Sequence, residues 1–425
     1  MHSLMPHYLY LPHTKLSLTV ARQLWLELNS STWCDPDKCN LTRGEVEPNF
    51  YVHPTERIII ATFADNNAAG YHRSVLALYL QIKQTYTKYI TVDHAGLHPI
   101  SQFLGTSITR DRDTRILSVD QTGYILRVSA AREGKFEKHS SVVGNSKADR
   151  DTFLHMTGAV DDKDACDKSE YLGVMGELGW VTGMTRGDYA CYFSHLCTFN
   201  QKPSVQNLKY AYRVYGNMVY TAEYKLTFGG PLAIPSGLTA FPPHFHDNGG
   251  FHQFSDSSWG RPKPLGGYCT MFNNGALNQH ATSLKSEPDS TAEAETAVAS
   301  RACKDARFHR LLHYDLGRKI MGPSPLLVDN KALYDLVLKP GASAKTRYFE
   351  RATRFVKYAC SMLFVKLWLI PTKWMVADMF TKPLDNDTFN RHRAILLNLR
   401  NSGNRKFDAQ SARLLDKLKS MILFM

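Results

Sequence analysis

The spacing of apolar positions along the chain alternates between helical and strand periods, and long polar gaps are few. Residues 15 to 30 carry Leu18, Ala21, Leu24, Trp25 and Leu28 on one helical face. The run from Ile58 to Phe63 is short and continuously apolar, which predicts a buried strand breaking into a polar turn at Asp65, Asn66 and Asn67. A helix over roughly residues 72 to 88 follows, then strands within FLGTSITRD and RILSVDQTGY. Residues 130 to 170, with KADRD and DDKDACDKSE, are polar enough to predict an exposed connection. Beyond them, YLGVMGELGWVTGM, YACYFSHLCTF and YAYRVYGNMVY predict helices that pack through aromatic stripes. The Pro- and Gly-rich stretch from Gly229 to Gly250 is the strongest boundary signal in the sequence.

After that boundary the order of elements is clearest. FHQFSD, GGYCTMFNN and ALNQHATSL predict three strands, and a long helix is expected from about Ser290 to Tyr314. A short strand at Leu326 to Val328, a helix, a basic helix near residues 347 to 360, a strand at LFVKLWLI and a last helix from about Lys373 complete the pattern. Three strands, a helix, a strand, helices, a strand and a final helix describe a mixed sheet with helices on its faces, an α/β (α+β) class.

Composition narrows the function classes. The 51 Lys and Arg against 39 Asp and Glu leave a net charge of +12, which favours a polyanionic partner through phosphate neutralisation and counterion release. No apolar run is long enough to span a membrane, and the N-terminus lacks a charged segment followed by a sustained apolar one, so neither a membrane anchor nor a secretory signal is expected. The eight cysteines form no CxxC pair, which fits reduced thiols in an intracellular protein, cytoplasmic or nuclear. His244 and His246 sit in a Pro/Gly-rich segment without a nearby Cys ligand and are read as linker. Cys34 and Cys39 lack a matching second pair and are read as loop.

Acidic residues fall where a metal-dependent nuclease needs them. Asp256 ends the first strand of the C-terminal half, and Asp329 directly follows the apolar Leu326-Leu327-Val328, so both sit at rigid positions. On the long helix Ser290 and Glu293 have capping-box spacing, which gives Glu293 a structural task. Glu295, about 200° around the helix, is left free. Asp378 lies early in the last helix, after Pro371 and Thr372 have turned the chain. Clustered carboxylates repel one another when bare but become favourable around two Mg²⁺ ions, which prefer oxygen ligands and keep positions for a phosphate.

The flanking strings SDSSWG, RPKPLGGYCTMFNNG, STAEAETAVAS, LLVDNKA and IPTKWMVADMFTKPL, in this order and spacing, resemble the ribonuclease H domain of copia-type retrotransposon polyproteins over roughly residues 249 to 395. The resemblance implies Mg²⁺-dependent cleavage of the RNA strand of an RNA–DNA hybrid, with Asp256, Glu295, Asp329 and Asp378 as catalytic metal ligands. One position departs from the pattern: Tyr348 stands where the family usually carries a histidine ahead of the basic helix. Tyrosine cannot carry the proton or charge that histidine can near neutral pH.

Upstream, RQLWLELN, FLGTSITRD and MTRGDYACYFSHLCTFNQKP resemble, more loosely, the reverse transcriptase of the same polyproteins, with Gly187 in place of the usual proline. The catalytic hairpin of that enzyme corresponds to Phe63-Ala64-Asp65-Asn66, where the second acid is replaced by Asn66. The family's earlier palm aspartate has no counterpart, because only Asp35 and Asp37, in a Pro-containing loop, precede the hairpin in this sequence. Asp65 is then a remnant, and two-metal nucleotidyl transfer is not expected. The expected organisation is a truncated palm over residues 1–130, a thumb- or connection-like helical region over 131–245, the ribonuclease H-like domain over 246–400 and a basic amphipathic tail over 401–425.

Two basic stripes complete the reading. Arg301, Lys304, Arg307 and Arg310 recur every third residue on the long helix, and Arg347, Arg351, Arg354 and Lys357 line the later one. Either stripe is a solvated face or a sequence-independent contact to the backbone of a hybrid duplex. Two functions remain open at this point: a ribonuclease H, or a non-catalytic nucleic-acid-binding remnant of a transposon.

Overall fold

The structure is a computed structural model that describes residues 32–63, 66–89, 100–137, 146–238, 240, 242–259, 264–284, 288–339 and 349–401. The helix expected over residues 15 to 30, the tail beyond 401, Asp65, Arg347 and Tyr348 lie outside the described residues. The chain divides into two compact units, one of residues 1–103 with 307–320 and one of residues 104–306 with 321–425.

The first unit holds an antiparallel sheet of β1 (Thr42–Arg43), β2 (Phe50–Val52), β3 (Ile58–Phe63) and β4 (Asn66–Tyr71), followed by helix α1 (Leu76–Tyr89). The apolar run Ile58 to Phe63 is the strand expected of it. Asn66 and Asn67, expected in the polar turn, belong instead to β4, paired with Phe63 and Thr62. The Thr62 hydroxyl donates to the Asn67 side chain at 2.7 Å, so the amide side chain supports the ladder instead of a loop. Trp33, Tyr51, Ile58, Ile60, Ile82 and Tyr86 close a small core, with Trp33 stacked on Tyr86 at 3.7 Å between ring centroids.

The second unit begins with antiparallel β5 (Thr106–Asp111) and β6 (Ile116–Asp120), then helices α2 (Thr122–Ala130), α3 (Lys147–His155), α4 (Lys168–Met184), α5 (Ala190–Cys197) and α6 (Val205–Tyr220), and β7 (Leu226–Phe228), which pairs with β6. The connection expected over residues 130 to 170 is largely exposed where described, but it contains α3. Ser146 caps its start by accepting from the Asp149 N–H, and Phe153 is fully buried against Tyr192 and Tyr210. One buried aromatic in a charged segment is too little periodicity to read from sequence.

The remaining elements are β8 (His252–Ser258), β9 (Leu265–Phe272), β10 (Gly275–Ser283), α7 (Thr291–Asp315), β11 (Ser324–Val328), α8 (Lys331–Leu338), α9 (Glu350–Ser361), β12 (Val365–Leu369), α10 (Asp378–Thr381) and α11 (Asn386–Leu396). The five strands form one mixed sheet in the order β10-β9-β8-β11-β12, antiparallel through β8 and parallel from β8 onward. Asn273 and Asn274, both at positive φ, make the two-residue turn between β9 and β10. The single last helix expected from Lys373 is instead a one-turn helix and a separate longer one. Pro383 offers no backbone donor and holds Lys382 extended, and Asp385 restarts the helix by capping Thr388.

Strand alternation sends side chains to two cores. Leu326 and Val328 face Ala299, Ala302, Cys303, Val356 and Ala359 of the helices on one side. Leu327, Phe254, Cys269 and Met271 join a larger core with Phe153, Tyr171, Leu178, Tyr192, Tyr215 and Phe389 on the other. Helices α2 to α6 therefore share a continuous core with the sheet. In that core lies a buried ionic cluster: Asp188 accepts from Arg186 at 2.8 and 3.0 Å and forms an ion pair with Arg393 of α11 at 2.8 Å, all three side chains being essentially without solvent contact. Burial alone would raise the Asp188 carboxyl, but Arg186 and Arg393 outweigh it and hold it below the usual carboxylate range. Tyr189, Asn217 and Thr221 take the remaining hydrogen bonds of the two guanidiniums. Among the described residues no helix is long and apolar enough to cross a membrane.

Candidate metal centre

Asp256 sits within β8, opposite Gly267 of β9. The absent side chain of Gly267 matters here: a Cβ added to it would lie 2.3 Å from Cβ of Phe380, so only glycine lets α10 lie this close to the sheet. That approach brings Thr381 to Asp256, where its hydroxyl donates to Oδ2 at 2.5 Å. The neighbouring Gly266 does the same for the long helix, since a Cβ there would lie 2.5 Å from the Val298 side chain. Glu295, one turn before Val298, is 4% exposed and accepts from the Ser257 N–H at 3.2 Å. Asp329 leaves the buried end of β11 half-exposed, while the adjacent Asn330 takes over the capping of α8 by accepting from the Leu333 N–H.

These placements bring together one carboxylate oxygen each from Asp256, Glu295 and Asp329, all within 4.8 Å of one another. Asp378, the first residue of α10, lies beside them. Its Oδ1 is 2.8 Å from the Lys382 ammonium, which is also 4.0 Å from Asp256 Oδ2. Glu293 is not among them. It accepts from the Asp289 N–H at 2.9 Å while Ser290 accepts from the Glu293 N–H, a variant of the expected capping box reaching one residue further back.

The electrostatics are those of acids held together under tension. Burial pushes the Asp256 carboxyl well above the usual range; Lys382 opposes this, and the Glu295 and Asp378 charges add to it. Burial first and the Asp329 charge second push Glu295 up to about 7, against the bond from Ser257. Burial also raises Asp378, with Lys382 opposing. Glu295 Oε2 is buried and has no hydrogen-bond partner. An all-oxygen donor set of carboxylates with an unsatisfied buried oxygen fits a hard divalent cation.

A stability prediction follows from Glu295. A carboxyl whose folded-state pKa lies above its unfolded value costs nothing at low pH, where it is protonated in both states, and destabilises the fold increasingly as pH rises from about 4.5 to about 7. Metal-free Glu295→Gln protein should therefore be more stable than the unmodified protein at pH 8 by about 3 kcal/mol. The gap should become small by pH 5. Urea denaturation in chelator across this range is the measurement, and a gap that does not change with pH would refute the assignment of the shift to Glu295.

The basic residues resolve differently from one another. Arg301, Lys304, Arg351 and Arg354 line one open cleft of about 630 Å³ between α7 and α9, together with Phe349 and Phe355. Lys304 lies 5.3 Å from the Phe355 ring centroid, and Arg354 also pairs with Glu350 at 2.6 Å. Arg310 departs from the expected stripe. It is half-buried and donates to the Ile320 carbonyl, because three steps of three residues carry a helix half a turn away from Arg301. His244 pairs with Asp247 at 3.1 Å.

Sequence reasoning missed Lys382 and Thr381, although ADMFTKPL spaces Asp378, Thr381 and Lys382 at intervals that meet on one helical turn. It also left Asp305 without a role. Asp305 accepts from Gln253, Thr270 and Asn278, which are neighbours on three adjacent strands, and so ties α7 to the sheet.

No family model matches the sequence. The retrovirus-related Pol polyprotein from transposon TNT 1-94 of Nicotiana tabacum is 25% identical over 299 residues, a match that covers 70% of this chain and 21% of that protein. The chain thus spans about a fifth of the length of this curated relative. A solved structure of a foamy viral protease-reverse transcriptase in complex with double-stranded DNA aligns with 83% of this chain and 49% of that one, at 11% identity and a TM-score of 0.40. By sequence, the chain is a relative of the Pol polyproteins of retrotransposons.

Proposed function

We propose that residues 246–400 are a ribonuclease H of the copia type that cleaves the RNA strand of RNA–DNA hybrids, with Asp256, Glu295, Asp329 and Asp378 as ligands of two Mg²⁺ ions. The observation that carries this reading is the convergence of Asp256, Glu295 and Asp329 within 4.8 Å, with Asp378 alongside, at the four positions of the motif resemblance. When bound, the ions supply an activated water, in-line positioning of the scissile phosphate and stabilisation of the leaving 3′ oxygen. The chain supplies rigidity: Thr381 fixes Asp256, the Ser257 N–H fixes Glu295, and β11 fixes Asp329. Burial keeps the carboxyl groups poorly solvated, which favours exchange of their protons for divalent ions as pH rises. Residues 1–130, including Asp65, are in this reading a polymerase palm remnant without nucleotidyl transfer, and 131–245 its thumb- or connection-like region.

The cleft lined by Arg301, Lys304, Arg351 and Arg354, with Arg347 next to it in sequence, is assigned to the backbone of the hybrid. Phosphate contacts of this kind act by counterion release and carry no sequence preference. Arg351→Ala combined with Arg354→Ala should lower the slope of log affinity against log salt by about two and weaken hybrid binding uniformly across sequences. Filter binding at several salt concentrations reads this directly, and an unchanged slope would exclude the cleft as the contact. The central test is Mg²⁺-dependent release of RNA fragments from a labelled hybrid by the purified full chain. Salt-sensitive binding without cleavage would favour the non-catalytic remnant.

A further inference from the structure

We propose that Lys382 is the resident counter-ion of the carboxylate cluster, and that it competes with divalent ions and so sets the metal affinity of the site. The inference rests on the metal-centre reading above and adds to it a residue that the carboxylate motif does not include.

Three observations carry it. The Lys382 ammonium is 2.8 Å from Asp378 Oδ1 and 4.0 Å from Asp256 Oδ2, and so lies against two of the four carboxylates. Its backbone is fixed on both sides, by a hydrogen bond from its N–H to the Asp378 carbonyl and by Pro383 after it, so the side chain is aimed at the cluster from the turn that ends α10. Yet the side chain remains 39% exposed, against 6% or less for the two carboxylates it meets, so its flexible stem has a path to water. A single ammonium compensates part of the repulsion among four acids. A divalent ion taking the same oxygens must displace it or bind beside a like charge, and both work against binding. Asp378 and Lys382, four residues apart, form one unit with two positions: lysine inward when the site is empty of metal, lysine outward when it is filled.

The sign of the effect is fixed by this competition. Lys382→Met keeps the length of the side chain and removes its charge. At pH 8 it should lower the melting temperature of the metal-free protein and lower the Mg²⁺ concentration that half-saturates the metal-induced rise in melting temperature, by about tenfold. Lys382→Arg, which retains the charge, should restore the unmodified midpoint to within about threefold. A merely structural lysine would change melting temperature with and without metal alike and leave the midpoint where it was.

The experiment is a thermal-melting titration of the full chain with MgCl₂, and in parallel with MnCl₂, on the unmodified, Lys382→Met, Lys382→Arg and Asp329→Asn proteins. If Lys382→Met does not fold without metal, the Mg²⁺ concentration that half-restores its fold is the same readout, and Lys382→Gln gives a second neutral side chain. A lowered midpoint in the neutral variants and not in Lys382→Arg supports the proposal. A metal response that Asp329→Asn removes, but with an unchanged or raised midpoint in both neutral variants, overturns the role of Lys382 and leaves the metal centre standing. Absence of any response that depends on Asp329 overturns both.

Discussion

The Asp329→Asn protein is expected to release RNA fragments from a labelled RNA–DNA hybrid at less than about one-hundredth of the unmodified rate in Mg²⁺. It should hold the hybrid as tightly as the unmodified protein or slightly more tightly. Asp329 is the position of choice because its carboxylate is the half-exposed member of the cluster, at the mouth of a buried strand end. Asparagine matches its shape, and the capping of α8 belongs to the neighbouring Asn330, so the helix start is left intact. The substitution removes one negative charge that the ions need and the phosphates oppose, which is why cleavage and binding should separate. Cleavage assays run beside filter binding measure both. Loss of binding in step with cleavage would mean that the side chain supports the fold, and retention of full cleavage would remove Asp329 from the metal centre.

The second large effect concerns stability. Asp188→Asn should lower the stability of the fold by about 3 to 5 kcal/mol, because it leaves Arg186 and Arg393 buried with no carboxylate between them. Removing one member of a buried ionic cluster exposes the full desolvation penalty of those that remain. Replacing all three residues together with apolar side chains of similar volume should recover most of the loss. Urea denaturation followed by the signal of the packed aromatic residues reads both variants. A loss below about 1 kcal/mol would show that water or rearranged partners replace the carboxylate.

Much of the sheet was legible because its strands have pure period-two or continuous apolar patterns. Ile58 to Phe63, Leu326 to Val328 and GGYCTMF all fall in strands where expected. The four acids were legible as positions relative to strand ends and helix caps, and the resemblance in the flanking strings sharpened the choice of Glu295 over Glu293. Other features depend on contacts that local periodicity does not encode. Arg186 and Arg393 look like ordinary surface cations in sequence, yet both meet the buried carboxylate of Asp188, Arg186 from two residues away and Arg393 across some two hundred residues of chain. Lys382 reads as a charge after a helix, paired at most with Asp378 on its own turn, and the close approach permitted by Gly267 is what brings it near Asp256. The division of the final helix turned on Pro383, whose effect was visible in principle and was masked by the amphipathic residues on either side of it.

The continuous core that joins helices α2 to α6 to the sheet bears on how the proposed nuclease would be inherited. A segment cut at residue 246 would carry Arg393 away from Asp188 and would lose Phe153, Tyr171, Leu178, Tyr192 and Tyr215 from the core that Phe254, Cys269, Met271 and Leu327 share with them. It would enter a new gene with an incomplete core and an uncompensated cation. If residues 246–400 are the nuclease proposed above, a breakpoint that moves it intact is expected to lie ahead of the helices, so the heritable module would be longer than the catalytic one.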